Sequence, residues 1–177
     1  MRLFISIPCS AALAKGLQEV QTKLRRESYK GGFPPLEKLH LTLVFLGETS
    51  EARLPELKRV LSGVSVPSFT LQCTGLGKFR ERSGEIWWMG TDEPPGLLQL
   101  SAALRAALDA ARFPYDRKAF RPHITLGRRV ILNPGVHPME WPLTGLTQKA
   151  ASFSLMESCR LPDGKYEYRT RMKFPLA

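Results

Sequence analysis

The pattern His-apolar-Thr-apolar occurs twice in this 177-residue chain, as His40-Leu41-Thr42-Leu43 and as His123-Ile124-Thr125-Leu126. In an extended strand, side chains at i and i+2 leave the same face, so each copy sends an imidazole and a hydroxyl to one side and two apolar groups to the other. Two such strands, each with one face in a core, would supply one cleft with two acid/base groups and two hydroxyl donors. The chain holds only three histidines and ten threonines, so chance seldom places Thr two residues after two of the three. A single His-x-Thr would be weak evidence, because a lone His in a strand is usually structural.

The remaining periodicity reads as an α+β chain. Residues 2–8 alternate as a strand, and Ser10 offers an N-cap to a helix over 11–28 with Leu13, Leu17, Val20 and Leu24 on one stripe. Gly31-Gly32-Phe33-Pro34-Pro35 breaks the pattern and leads into a motif strand at 38–46. Pro55 fits the first turn of a short helix to Leu61, and strands over 68–79 and 84–90 flank a turn at Glu81-Arg82-Ser83-Gly84. A helix to Arg112 carries Leu97, Leu100, Leu104 and Leu108, and the second motif strand spans 121–129. Residues 133–147 read as an irregular connection with a helical turn near Met139. A final hairpin, 150–161 with 165–174, turns at Leu161-Pro162-Asp163-Gly164. A helix and a Pro-bearing break precede each motif strand, which implies an internal pseudo-duplication with approximate twofold symmetry.

Length suits one domain over residues 1–177, with two lobes sharing a core. No segment approaches the ~18 consecutive apolar residues of a membrane helix, so no membrane association is expected. The apolar start ends at Pro8, short of the ~7 to 15 residues of a signal sequence, and reads as a first strand. Cys9, Cys73 and Cys159 are odd in number, widely spaced and free of any C-x-x-C, which indicates neither a disulfide framework nor a zinc site and fits the cytoplasm. The formal net charge of +10 favours polyanionic or phosphate-bearing partners. The cluster Lys23-Leu24-Arg25-Arg26 reads as a solvated helix face.

Imidazole titrates near pH 6.5, so one His can act as a neutral base while another, held by a phosphate or carboxylate, keeps its proton. That combination suits displacement at phosphorus, with one group activating the incoming oxygen and the other protonating the departing one. Thr42 and Thr125 can donate to non-bridging oxygens, and a nearby Arg can offset developing charge. Such chemistry needs no metal and no cofactor, and no third ligand at informative spacing accompanies the two His. His137 lacks a Thr partner and reads as a loop residue. Of Trp87 and Trp88, which alternate faces, one is expected in the core and the other is a candidate to stack on a base. Phe45 reads as core, while Phe120 and Phe33 are better nucleobase candidates.

Leu39-His40-Leu41-Thr42-Leu43-Val44-Phe45-Leu46-Gly47 together with Arg121-Pro122-His123-Ile124-Thr125-Leu126-Gly127-Arg128 resembles the bacterial and archaeal RNA 2′,3′-cyclic phosphodiesterases, also called 2′-5′ RNA ligase-like proteins, of the two-histidine phosphoesterase superfamily. The segments Arg2-Leu3-Phe4-Ile5-Ser6-Ile7 and Leu155-Met156-Glu157-Ser158 are similar as well, so the resemblance covers the whole chain. It implies a bilobed fold of two antiparallel sheets lining a cleft, with helices outside. It implies metal-independent opening of a 2′,3′-cyclic phosphate at an RNA end to a 2′-phosphate; tRNA fragments are among the candidate substrates, and the protein is expected to be a monomer. By that resemblance His40 matches the proton donor to the leaving 3′ oxygen, His123 the base that activates water, and Arg128 a phosphate-contacting Arg. Strict alternation would turn Arg128 away from His123, so its participation requires a bulge or the strand's end, which Gly127 permits; Arg129 is the alternative. The same groups could join RNA ends through a 2′-5′ linkage or cleave 2′-5′ linked oligonucleotides. A non-catalytic module that holds RNA ends is the reading from outside enzymology.

Overall fold

Two four-stranded antiparallel sheets meet at one residue pair, Leu41 opposite Ile124, in the computed structural model, which describes residues 1–177. In chain order the elements are β1 (Arg2–Pro8), α1 (Ala11–Arg26), β2 (Ser28–Gly32), β3 (His40–Glu48), α2 (Leu54–Ser62), β4 (Phe69–Glu81), β5 (Gly84–Thr91), α3 (Pro95–Ala110), β6 (His123–Leu132), β7 (Thr147–Ala150), β8 (Ser152–Arg160) and β9 (Tyr166–Pro175). The strand order is β7-β4-β5-β6-β3-β1-β8-β9, with β2 added to β6. The motif strands β3 and β6 are therefore the innermost of each sheet, and reading outward from their junction along this path gives four strands on each side, with β2 a fifth on the β6 side. This is the bilobed α+β architecture expected, with the sheets curling around a cleft.

The helices cross between the lobes. α1 follows β1, which pairs with β3, yet packs against β6 and β7; α3 follows β5, which pairs with β6, yet packs against β3. Ser10 caps α1, its Oγ accepting from Leu13 N–H at 3.2 Å, and Leu13, Leu17, Val20 and Leu24 are buried as their spacing predicts. Leu97, Leu100, Leu104 and Leu108 of α3 are fully buried. Side chains of both sheets and all three helices join one apolar cluster of 34 residues, so the crossing helices tie the lobes together through burial that neither sheet achieves alone.

Two strands escaped the sequence reading. β2, Ser-Tyr-Lys-Gly-Gly, has no apolar alternation because it lies on an edge with mostly exposed side chains, and β7 is only four residues long. Tertiary pairing with β6 and β4 makes them strands, where local propensity does not. The three cysteines are free, and burial pushes the thiols of Cys9 up to about 12 and of Cys73 up to about 11, so both stay protonated at neutral pH. No helix is long and apolar enough to cross a membrane.

Candidate active site

The two motif copies share one burial pattern: half-buried His, buried apolar residue, half-buried Thr, two buried residues, then an exposed one. Leu41 and Ile124, each 1% exposed, face the core, so His40, Thr42, His123 and Thr125 all face the cleft. Continuing the Leu41–Ile124 register by one residue in each direction sets His40 opposite Thr125 and Thr42 opposite His123. Each imidazole thus neighbours the hydroxyl of the other copy. Diagonal positions in a regular antiparallel pair lie about 7–8 Å apart, which leaves the two His with room for a small group between them.

Each His is held in the same way. The carbonyl of Lys38 accepts from His40 Nδ1 at 2.7 Å, and that of Arg121 accepts from His123 Nδ1 at 2.6 Å. A carbonyl only accepts, so Nδ1 carries the hydrogen in both rings and Nε2 is left as the exchangeable site. Aromatic rings fix each imidazole: Phe4 at 5.0 Å and Tyr168 at 5.4 Å around His40, Phe79 at 5.4 Å and Trp88 at 5.8 Å around His123. Burial lowers the pKa of both imidazoles below the ordinary 6.5, and the positive charge of Arg128 lowers both further; the carbonyl bonds oppose this. His123 adds a small lowering at His40.

Arg128 reaches the cleft because β6 bulges. Trp87 pairs with Gly127 and Trp88 with Thr125, leaving Leu126 as an extra residue, so Leu126 and Gly127 are both buried and Arg128 emerges on the side of His123 and Thr125. β3 has the matching bulge at Leu43, since Ile5 pairs with Val44 and Ser6 with Thr42; there the residue brought out is Phe45. Phe45 is therefore not core as expected: it is 49% exposed and stands where Arg128 stands in the other lobe. Arg129, the alternative to Arg128, has a left-handed backbone (φ 53°) and its main chain lies against Gly84.

A side chain that sequence reading passed over supports the β6 bulge. Gln21 of α1, 5% exposed, donates from Nε2 to the carbonyls of Leu126 and Pro34, each at 3.0 Å. The bulge leaves the Leu126 carbonyl for a partner outside the strand ladder, and Gln21 satisfies it in the interior. The available signal was a Gln placed four residues after Leu17 on the buried stripe of α1.

A pocket of about 490 Å³ opens beside His123, with Thr42, Phe45, Phe79 and Phe120 also in its lining. Phe120 is thus at the site as expected, whereas Phe33 packs against Gly127 with the Arg25 guanidinium 5.2 Å over its ring, away from this pocket. Trp87 is the core member of the Trp pair, 1% exposed, its Nε1 donating to Glu85 Oε2 at 3.0 Å. Trp88 flanks His123 and lies across Gly77, where a Cβ would come within 2.2 Å of the indole. Gly77→Ala is expected to cost about 1–3 kcal/mol of stability through this overpacking. A denaturant titration followed by Trp fluorescence measures it, and an unchanged midpoint would show that the indole relocates freely. His137 is exposed in the connection before β7. No group of three or more His, Cys, Asp and Glu side chains converges in the structure.

The chain is similar to several known proteins. The family model described as the 2′-5′ RNA ligase superfamily matches residues 8–153. A Thermus thermophilus protein named RNA 2′,3′-cyclic phosphodiesterase is 36% identical over 190 residues, covering 99% of this chain and 90% of that one. An Escherichia coli protein of the same name is 30% identical, covering 86% of this chain and 88% of its own length. Among solved structures, E. coli LigT complexed with 3′-AMP superposes with a TM-score of 0.82 at 29% identity, over 99% of this chain and 97% of that chain. Two antiparallel sheets curling around a cleft, with three helices, make a LigT-like fold. The chain belongs to the 2′-5′ RNA ligase superfamily.

Proposed function

We propose that this protein hydrolyses the 2′,3′-cyclic phosphate at an RNA 3′ end to a 2′-phosphate, using His40 and His123 as the acid and base and no metal. The observation that carries this reading is the matched presentation of two imidazoles, each with Nδ1 bound to a carbonyl two residues upstream, so that both Nε2 atoms are left to exchange protons in one cleft. The names of the relatives support the substrate class.

In this reading the phosphorus lies between the two rings. His123 Nε2 takes a proton from water as its oxygen bonds to phosphorus, the bond from phosphorus to O3′ breaks, and His40 Nε2 supplies the proton that O3′ needs. The products are a 2′-phosphate and a free 3′-hydroxyl. The family resemblance assigns which imidazole does which. Thr42 and Thr125 donate to the non-bridging oxygens, and Arg128 balances the charge that develops there. With both pKa values lowered, the two rings are neutral at rest at neutral pH, and the anionic substrate itself favours the proton on His40. The terminal base lies against the Phe45, Phe79 and Phe120 side of the cleft, where an aromatic ring can stack on it.

Incubation of a nucleoside 2′,3′-cyclic phosphate with the protein in excess EDTA tests the reading. The 2′-phosphate is expected at a rate unaffected by the chelator. Loss of turnover in EDTA, or a 3′-phosphate product, would overturn it, and a 2′-5′ joined product from two RNA ends would redirect it to ligation.

A further inference from the structure

The pseudo-twofold exposes one place where the lobes differ. Beside β6, the strand β2 pairs with Arg128–Leu132 and Phe33 packs onto Gly127, so the space next to that motif strand is filled. Beside β3, at Thr42–Phe45, no strand is added; the 490 Å³ pocket lies there, and the only backbone bond across it runs from Asp116 N–H to the Phe45 carbonyl at 2.8 Å.

The lining of this pocket carries three cationic side chains and one carboxylate. Arg105 of α3 and Arg121, just ahead of His123, line it, and neither takes part in any of the protein's ion pairs. The one carboxylate in the lining, Asp116, is engaged by the Lys118 backbone N–H at 3.0 Å and the Lys118 ammonium at 3.6 Å. Arg105 is already placed: its guanidinium donates to the Lys118 carbonyl at 2.9 Å and lies 5.7 Å from the Tyr115 ring, which orders the side chain before any ligand arrives. Two guanidinium groups without carboxylate partners, lining the same pocket as His123 and Thr42, suit a second anion near the reacting phosphate.

We infer that Arg105 and Arg121 form a subsite for the phosphodiester on the 5′ side of the terminal nucleotide, so that the protein selects an RNA chain over a mononucleotide. The inference rests on the function proposed above. A nucleoside 2′,3′-cyclic phosphate ends in a 5′-hydroxyl and has no group for these arginines, whereas any longer RNA carries one there.

The test compares kcat/KM for cytidine 2′,3′-cyclic phosphate with that for a dinucleotide ending in the same cyclic phosphate, in wild type and in Arg105→Met and Arg121→Met. Wild type is expected to prefer the dinucleotide by about tenfold or more, the worth of one charge-assisted contact. Each variant is expected to lose most of that preference, and in Arg105→Met, which does not touch either histidine, the fall is expected to be confined to the dinucleotide. The preference should also shrink as salt rises from 50 to 200 mM, roughly as expected for one released counterion. Equal kcat/KM for the two substrates in wild type, or an Arg105→Met variant that lowers both alike, would overturn the subsite while leaving cyclic phosphate hydrolysis intact. Absence of turnover on either substrate would instead overturn the function on which it rests.

Discussion

Replacing either His40 or His123 by alanine is expected to lower kcat/KM for a nucleoside 2′,3′-cyclic phosphate by about 10²- to 10⁴-fold, the usual worth of a positioned acid or base. The double variant is expected to be little worse than the weaker single one, because the two groups act in one displacement and their losses do not add. Stability should change little. Both rings are half-buried above the core, and each makes its hydrogen bond to a carbonyl two residues away, so Leu41 and Ile124 beneath them are untouched. Steady-state kinetics alongside thermal unfolding measure both quantities. Turnover that survives in both single variants would remove acid–base catalysis by these histidines from consideration.

Arg128→Met should reduce kcat/KM by about 10²- to 10³-fold, the scale seen when one donor to a developing anion is removed. Its effect on pH dependence separates a role at the phosphate from a structural one. Burial and then Arg128 lower both imidazole pKa values below 6.5. The active form of the pair holds one proton, so kcat/KM for the wild type should peak below pH 6.5 and fall as pH rises, when that proton is lost. Taking away the Arg128 charge removes one cause of lowering at each ring, which moves the alkaline limb to higher pH even as the maximum falls. Titration of the two imidazoles by NMR gives the same sign directly: both should titrate higher in the variant. A variant with the wild-type pH profile and NMR titrations would place Arg128 too far from the imidazoles to act on them.

The distinct behaviour of Phe45 and Arg128 shows where the reading of a strand from its residues stops. Alternation was legible: it put His40, Thr42, His123 and Thr125 on one face and Leu41, Leu43, Ile124 and Leu126 in the core, as their burial bears out. Carried past the fourth residue, the same rule made Phe45 a core residue and turned Arg128 away from His123. The extra residues Leu43 and Leu126 reverse both outcomes, and they are visible only in the pairing with β1 and β5. Gly127 marked the place in β6 where a bulge was permitted, while Val44, its counterpart in β3, carried no such mark. β2 was similarly illegible, since its residues become a strand through hydrogen bonds to β6 and not through their own propensity.

From local pattern alone it follows that two strands each present an imidazole beside a hydroxyl, that two long helices each carry an apolar stripe, and that the halves share a similar order of elements. These follow from backbone geometry over two to four residues, which is the same wherever the strand or helix lies. Only the tertiary structure decided that Leu41 meets Ile124, so that each His faces the Thr of the other copy, and that Gln21 closes the bulge which brings Arg128 out. Register and bulges depend on partners as distant in the chain as Gln21 and Leu126. Their free energy lies in contacts that exist only after the lobes have packed, which is why no local pattern announces them.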